Sequence, residues 1–450
     1  MNYNISDTVS FIESIEEKYS LFGLKENDIY IWKISRVSFS NKLNSIVFNT
    51  SNMHGNTRKR DIYKFLFKNM LPGRMKASKN EILIIENPRK IKIDGKLIDP
   101  YTNHFINTKS DVLFGYTHYK YQEIISNASN KISLNNLEAK VIVEKMIGKT
   151  KINDENLLNI FKYIDNDVKE KFNINISTES IVNKSYEHFV ATKKIYSRFF
   201  KKSKINHLYL ICSYGKEGII SAAKENDVYV TELQHGVMGR YHLGYHFEHI
   251  KNIPYFPDEA MLFGEFWGEY TKLPVNCKKT ITGYNFLSKK AEITKSYKKD
   301  NTIVIISQGT IGKELSVILN YTIKSLPQFN FIYKLHPGEF KRWKEEYPKL
   351  YEIKELNNIE VIEDSRDLYE IFSESKICIG AYSTAIYESI AFGNIPIILD
   401  LPGKEYIENL KDFYNIPEIR NGEQLVEILK EISDKEMDNN KMDYLWKNSI

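Results

Sequence analysis

The sequence predicts an α/β protein of two doubly wound domains facing across a cleft, and three observations carry that expectation. The chain has 450 residues, more than the roughly 250–300 at which a single core stops growing, so two or three domains are expected. From residue 205 onward, short apolar runs ending in glycine or polar residues alternate with helical stretches of about ten residues, the rhythm of parallel strands and crossover helices. Residues 284–300 interrupt that rhythm with a polar, basic stretch (Asn285, Ser288, Lys289, Lys290, Lys298, Lys299, Asp300) that reads as a linker. The expected domains are 1–285 and 286–450.

The first third carries the weakest pattern. Ile29–Trp32, Ser45–Asn49 and Ile82–Glu86 fit strands, and Arg58–Met70 and Tyr119–Ala128 fit helices. Leu134–Phe172 and Thr178–Lys201 are polar and helix-like. His207–Ser213 is a nearly continuous apolar run and fits a strand buried on both faces. Glu217–Lys224 fits a helix and Val228–Thr231 the next strand, which completes one β-α-β step. Ala260–Gly264 and Lys279–Gly283 add two strand ends, each closed by glycine. Beyond the linker, strands are expected at Thr302–Ser307, Asn330–Leu335, Ile359–Ile362, Ile377–Gly380 and Ile395–Leu399. Helices are expected at Gly312–Ser325, Phe340–Tyr347, Leu368–Ser373, Ala385–Phe392, Lys404–Phe413 and Glu423–Ser433. Right-handed crossovers of parallel strands leave a ligand crevice at the strands' carboxyl ends.

Composition narrows the classes. Hydrophobic residues make up 42% and charged residues 27%, which excludes overall disorder. The 30 Tyr and abundant Asn, Lys and Ile reflect a compositional bias, so single Tyr, Lys and Asn residues are discounted as functional signals. The net charge is only +5 and no concentrated basic stripe stands out, so no nucleic-acid partner is expected. The basic clusters Lys193–Lys204 and Lys289–Lys299 leave room for a weak peripheral association with an anionic membrane. Cys212, Cys277 and Cys378 are far apart and odd in number; Cys212 and Cys378 read as buried free thiols, which suits a reducing cytoplasm. Met1–Tyr19 is polar and acidic, unlike a signal peptide, and no run approaches the length of a membrane span.

Three clusters fall at expected strand tips. Glu232-Leu-Gln-His235-Gly236 places a histidine where it can act as a general base or donate to a phosphate oxygen. His242, His246 and His249 follow; the i, i+4 spacing of the first two is compatible with zinc, but no carboxylate or cysteine completes a set, and a substrate loop is the better reading. Tyr333-Lys-Leu-His336-Pro337-Gly338-Glu339 ends a strand at His336, and Pro337 helps set the exit geometry. Gly380-Ala-Tyr-Ser383-Thr384 starts a helix with two good N-caps, where free N–H groups favour phosphate. Glu388, one turn further in, can accept both hydroxyls of a ribose. Ser307-Gln-Gly309-Thr310 is a fourth candidate, with Gly309 permitting close approach to phosphate, and Asp364 is placed to frame a base pocket. The P-loop, the G-x-S-x-G elbow and the G-x-G-x-x-G fingerprint are absent, which disfavours the usual NTPases, α/β hydrolases and NAD enzymes.

The two-domain layout, the His336-Pro337 pair, and the Ser383-Thr384 start with Glu388 behind it resemble the GT-B glycosyltransferases of bacterial surface-polysaccharide synthesis. In pattern they are similar to capsule and lipopolysaccharide transferases that use CMP-activated sugars, and to teichoic-acid CDP-glycerol glycerophosphotransferases. The Gln234-His235-Gly236 segment resembles one met in capsule-biosynthesis proteins. The resemblance spans about residues 205–430 and implies two Rossmann-like domains. It also implies metal-independent, inverting transfer of a sugar from a nucleotide-sugar co-substrate, CMP-sugar favoured, to a surface glycan or lipid-linked acceptor, with no cofactor and no metal. The implied location is the cytoplasm, at the inner face of the cell membrane. It assigns the donor nucleotide to His336, Pro337, Ser383, Thr384 and Glu388, with Ser307, Gly309 and Thr310 beside them. The acidic base motif of the related sialyltransferases is not evident, which leaves His235 or Glu232 as the base. Three alternatives share the pattern: a CDP-alditol phosphotransferase, a non-hydrolysing nucleotide-sugar 2-epimerase, and a non-catalytic capsule-assembly protein. The epimerase would draw on Glu232, Glu339, Glu363, Asp364 and Glu388.

Overall fold

The computed structural model describes residues 3–49, 59–70, 80–93, 95–106, 111–148, 150–248, 252–294, 301–416, 418–432 and 435–447. The chain divides into two compact units. The first comprises Met1–His235, His242–Leu262 and Thr271–Thr280, and the second Gly236–Tyr241, Phe263–Tyr270 and Ile281–Ile450.

The first unit is built on seven strands: β1 (Ile82–Ile85), β2 (Val112–Tyr116), β3 (Lys131–Ser133), β4 (His207–Ile211), β5 (Tyr229–Leu233), β6 (Glu259–Leu262) and β7 (Lys278–Ile281). Their order in the sheet is β7-β6-β5-β4-β1-β2-β3. All pairs from β3 through to β6 run parallel. The chain therefore winds outward from β1 in one direction and resumes beside it at β4 in the other. This is the doubly wound order, and its switch point lies between β1 and β4. One face buries Leu83, Leu113, Leu208, Leu210 and Val230, the other Ile84, Phe114, Tyr209, Ile211 and Leu233. Burial on both faces explains why β4 reads as an unbroken apolar run.

The helices of this unit are α1 (Ile5–Lys18), α2 (Ile31–Val47), α3 (Lys59–Met70), α4 (Asn135–Gly148), α5 (Glu155–Phe172), α6 (Thr178–Phe200) and α7 (Glu217–Lys224). Several begin on the side chains that helix starts favour. Asn4 and Asp7 form a reciprocal capping box, Asp154 accepts from the Asn156 and Leu157 amides, and Ser177 accepts from Ser180.

The second unit carries β8 (Thr302–Ile306), β9 (Asn330–Lys334), β10 (Ile359–Ile362), β11 (Ile377–Gly380) and β12 (Ile395–Ile398), all parallel, in the order β10-β9-β8-β11-β12. Its switch point lies between β8 and β11. Its helices are α8 (Glu265–Tyr270), α9 (Asn285–Ile293), α10 (Gly312–Ser325), α11 (Trp343–Glu346), α12 (Pro348–Ile353), α13 (Leu368–Glu374), α14 (Thr384–Ile390), α15 (Glu408–Tyr414), α16 (Gly422–Ile432) and α17 (Asn439–Leu445). Ile303, Ile305, Leu315, Leu319, Phe331, Ile379 and Leu425 form the centre of its core.

The pattern from residue 205 onward is met to within one to three residues at most strands and helices. The helix expected over Phe340–Tyr347 is formed only over Trp343–Glu346 as α11, and α12, which was not expected, follows where Pro348 opens a new first turn.

Three readings in the first third are corrected. Ile29–Trp32 is a strand only over Ile29–Tyr30. It pairs with Lys25–Glu26 through Asn27 and Asp28, both at positive φ (49° and 63°), and Ile31 already starts α2. Ser45–Val47, expected in a strand, is the last turn of that helix, whose buried Ile31, Ser35, Phe39 and Leu43 follow the i, i+4 spacing. Tyr119–Ala128 is not a helix. His118–Tyr119 and Gln122–Glu123 pair in a hairpin with Lys120 and Tyr121 at φ 47° and 63°, the left-handed pair of a tight hairpin turn. The expected linker is helical over Asn285–Ile293, and residues 295–300, with Lys298, Lys299 and Asp300, lie outside the described residues.

Candidate functional site

In the second unit, the loops leaving β8, β9 and β11 meet at the switch point and are stitched to one another. Ser307 ends β8; its hydroxyl, on a residue 2% exposed, bonds Tyr333 (3.0 Å) and donates to Glu339 Oε1 (2.8 Å). Ser307 thus supports the loop and does not offer a hydroxyl to a ligand. Gly309 was expected to leave room for phosphate. Instead the Arg342 guanidinium fills the space: Nη2 donates to the Gly309 carbonyl at 2.7 Å, and a Cβ on Gly309 would meet it at 2.7 Å. Thr310 Oγ1 hydrogen-bonds the Tyr382 hydroxyl, which joins the β8 loop to the β11 loop.

Glu339 holds the turn after β9. It is fully buried, and its carboxylate accepts from Ser307, from the Tyr347 hydroxyl (2.8 Å) and from the His336 amide (2.6 Å). Arg342 Nε adds a bond to the Gly338 carbonyl (3.0 Å). Within this turn His336, Pro337 and Gly338 are exposed. His336 Nδ1 accepts from the Gly338 amide (3.1 Å). A neutral imidazole that accepts at one nitrogen carries its proton on the other, so Nε2–H is the donor His336 has left for a ligand.

After β11, Ser383 caps α14 by accepting from the Ala385 amide (3.2 Å), and Thr384 is half-buried beside it. Glu388 follows at i+4 from Thr384, on the same helix face. Burial pushes its carboxyl up to about 7, and the Tyr369 hydroxyl, donating at 3.2 Å, only partly restores the charged form. Tyr369 is in turn stacked on Phe392 and edge-on to Phe286. A carboxyl that titrates near neutral pH beside phosphate-type donors is a recognised mark of a functional site. Asp364 is exposed, and no hydrogen bond joins it to these loops among the described residues.

The first unit has its own polar centre at the tips of β4 and β5, next to its switch point. Glu232, 1% exposed, takes the Ser213 amide (3.0 Å) and the Tyr245 hydroxyl on Oε1, and its buried Oε2 has no hydrogen-bond partner among the described residues. Burial raises its carboxyl. His235 lies half-buried at the strand tip with Nδ1 3.5 Å from the Tyr245 hydroxyl. Its ring is pushed down to about 3 by burial first, then by His242, Lys216 and Arg89. It is therefore unprotonated at neutral pH, the state a base requires, though weakly basic. Lys216 Nζ is anchored on the Ile211 and Cys212 carbonyls (2.7 and 2.8 Å). Cys212 adopts a left-handed φ of 65° at the end of β4, a conformation a non-glycine residue holds only when its surroundings impose it.

His242 and His246 do not act as a pair. His242 packs on Tyr245 and Tyr214 (ring centroids 4.7 and 5.1 Å), whereas His246 joins Glu13 and Glu248. The Lys272 amide donates to His246 Nδ1 (3.4 Å), which leaves the ring proton on Nε2, directed at Glu248 3.6 Å away. Two carboxylates, Glu13 and Glu248, thus stand within 4.8 Å of a ring nitrogen of His246, where the sequence offered none. His249 lies outside the described residues. Of the thiols, Cys277 and Cys378 are buried and raised to about 12; Cys212, expected to be buried, is half-buried and also raised by desolvation. No helix among the described residues is long and apolar enough to cross a membrane.

No protein-family model matches the chain, and no curated protein matches it. Among solved structures it is similar to a UDP-GlcNAc 2-epimerase from Methanocaldococcus jannaschii (12% identity, 82% of this chain and 94% of that one, TM-score 0.48). A UDP-GlcNAc 2-epimerase from Neisseria meningitidis bound to UDP-GlcNAc gives 14% identity, 82% and 94% coverage and a TM-score of 0.44. MurG of Acinetobacter baumannii gives 10% identity, 81% and 94% coverage and a TM-score of 0.47.

Proposed function

We propose that the chain is a GT-B glycosyltransferase that moves a sugar from a nucleotide-activated donor, with a CMP-sugar favoured, to a glycan or lipid-linked acceptor hydroxyl without a metal. The observation that carries the reading is the stitched switch point of the second unit. It gathers the exposed Nε2–H of His336, the Thr310–Tyr382 pair, Ser383, Thr384 and the near-neutral Glu388 on adjacent strand tips, where doubly wound sheets take nucleotides. In this reading His336 donates to the phosphate, the Ser383–Thr384 corner holds it and Glu388 accepts from the ribose. The bond from the anomeric carbon to the phosphate oxygen breaks, and its electron pair leaves with the nucleotide. The acceptor oxygen takes its place at that carbon and gives its proton to a base, for which His235 is the candidate. Donation to the developing charge on the leaving phosphate is the main electrostatic aid.

Of the five carboxylates the isomerase alternative would draw on, Glu339 and Glu363 already accept hydrogen bonds from the groups around them. Glu339 accepts from three donors, and Glu363 Oε1 accepts from the Trp343 indole at 3.1 Å.

A thermal-shift screen of the full chain with CMP, CDP, UDP, GDP and their sugars tests the proposal, since a ligand of the folded state raises stability by mass action. A shift with one nucleotide series, lost in His336→Ala, is the expected outcome. In a transfer assay that variant should lose at least about tenfold in kcat/KM, and EDTA should leave wild-type turnover unchanged. Binding that is indifferent to His336→Ala, or isomerisation of a nucleotide sugar without acceptor, refutes the proposal.

A further inference from the structure

We propose that Tyr245 is a positioning residue: it bridges Glu232 to His235, holds the imidazole proton on Nδ1, and so leaves the Nε2 lone pair as the base. The chemical use of that lone pair rests on the transferase reading; the geometry does not.

The assignment follows from counting hydrogens. Glu232 Oε1 already accepts the Ser213 amide, and the Tyr245 hydroxyl is its second donor. A phenol has one hydrogen. Once that hydrogen is directed at Glu232, the phenol oxygen can only accept, and the group near it is His235 Nδ1 at 3.5 Å. Nδ1 must then carry the ring proton. No partner occupies His235 Nε2 among the described residues, so its lone pair is available.

Packing leaves Tyr245 little alternative. The residue is 1% exposed, and its ring is edge-on to Tyr214 (5.6 Å) and tilted against His242 (4.7 Å). Three polar groups near it already have partners. His242 Nδ1 accepts the Gly244 amide (3.3 Å), Cys212 Sγ points to the Tyr214 carbonyl (3.6 Å), and Lys216 Nζ is held by two backbone carbonyls. The Tyr101 ring stands edge-on to His235 (6.3 Å) and restricts its swing.

During transfer the acceptor hydroxyl proton moves to Nε2 as its oxygen bonds the anomeric carbon and the nucleotide departs with the electron pair of the broken bond. The imidazolium so formed keeps Nδ1–H on the Tyr245 oxygen, and the Tyr245 hydroxyl is polarised by Glu232. The buried carboxyl of Glu232 thereby acquires a role: it fixes the direction of the phenol.

The test is long-range proton–nitrogen NMR on the full chain labelled with 15N-histidine at pH 7.5, with His235 assigned by loss of its signals in His235→Gln. The wild type should show a protonated Nδ1 and a bare Nε2 at His235, and Tyr245→Phe should move the proton toward Nε2. A wild-type ring protonated on Nε2, or a tautomer unchanged in a folded Tyr245→Phe protein, overturns the proposal. If that variant does not fold, the wild-type spectrum decides alone. None of these readouts needs turnover, so they stand apart from failure of the transferase reading. Where transfer is measurable, Tyr245→Phe should lower kcat about tenfold with the donor KM unchanged; an unchanged kcat counts against the proposal.

Discussion

Glu388→Gln gives a quantitative handle on the second unit that requires no knowledge of the substrate. The Glu388 carboxyl titrates near 7 where an ordinary one titrates at 4.5, because burial penalises its charge more than the Tyr369 hydroxyl relieves it. The folded chain therefore keeps this proton through a range in which the unfolded chain has released it. Between about pH 4.5 and 7 the native state binds more protons than the unfolded one, so stability falls as pH rises, and the full penalty is present above 7. At about 1.4 kcal/mol per pH unit the penalty has an upper bound near 3.4 kcal/mol. Because the side chain is half-buried, so that water still screens part of the charge, about 1–2 kcal/mol is the expected size. Glutamine has nothing to ionise. The variant should therefore gain about 1–2 kcal/mol on the wild type between pH 5 and pH 8. Urea titrations at pH 5, 6, 7 and 8 measure the difference. Tryptophan fluorescence is a suitable probe because Trp267, Trp343 and Trp446, three of the four tryptophans, belong to the second unit. Any fixed offset from altered hydrogen bonding cancels, since only the pH-dependent part counts. A difference that stays flat from pH 5 to 8, or that favours the wild type more strongly at pH 8, refutes the reasoning.

Other consequences follow from the same loops. If ribose hydroxyls donate to Glu388, nucleotide affinity should strengthen as pH rises from 6 to 8, because the charged carboxylate is the better acceptor; isothermal titration across that range checks it, and Glu388→Gln should abolish the trend. Glu339→Ala strands the Tyr347 hydroxyl and the His336 amide, leaves Ser307 with Tyr333 alone, and should cost at least about 2 kcal/mol in urea titrations. Gly403→Ala should destabilise the second unit by about 1–3 kcal/mol in the same experiment. Gly403 sits at φ +96° and a Cβ there would come within 2.5 Å of the Tyr382 ring, which must shift and release Thr310. Cys277 and Cys378 should stay unreactive to a thiol reagent at pH 8 until urea unfolds the chain, since burial raises both to about 12; prompt labelling of either contradicts the buried core.

What the sequence made legible is what is local. A strand tip followed by glycine or proline is a signal within five residues, so His235, His336 and the Ser383–Thr384 corner stand out unaided. Strand order is not local. The alternation announces parallel strands but says nothing of β1 lying between β4 and β2, because β2 and β3 carry weak patterns. In β2, Gly115 breaks the apolar run for a tertiary reason: a Cβ there would meet Leu134 Cδ1 at 2.7 Å. Compositional noise hid the rest. With 30 tyrosines in the chain no single one is informative, yet Tyr245, Tyr369 and Tyr382 each hydrogen-bond a residue of the candidate sites.

The sites are therefore built in two tiers with different visibility. The tips that offer groups to a ligand are set by sequence neighbours, whereas the groups that orient them arrive from elsewhere in the fold. Glu339 and Arg342 fix the His336 turn, and Glu232 acts on His235 through Tyr245. Loss of an orienting group leaves every motif at the strand tips intact while removing the geometry those motifs need. A chain that kept His235, His336, Ser383 and Thr384 but lacked Tyr245 and Glu339 would look unchanged to a motif reading. On the transferase proposal it should neither hold a nucleotide donor nor present a competent base.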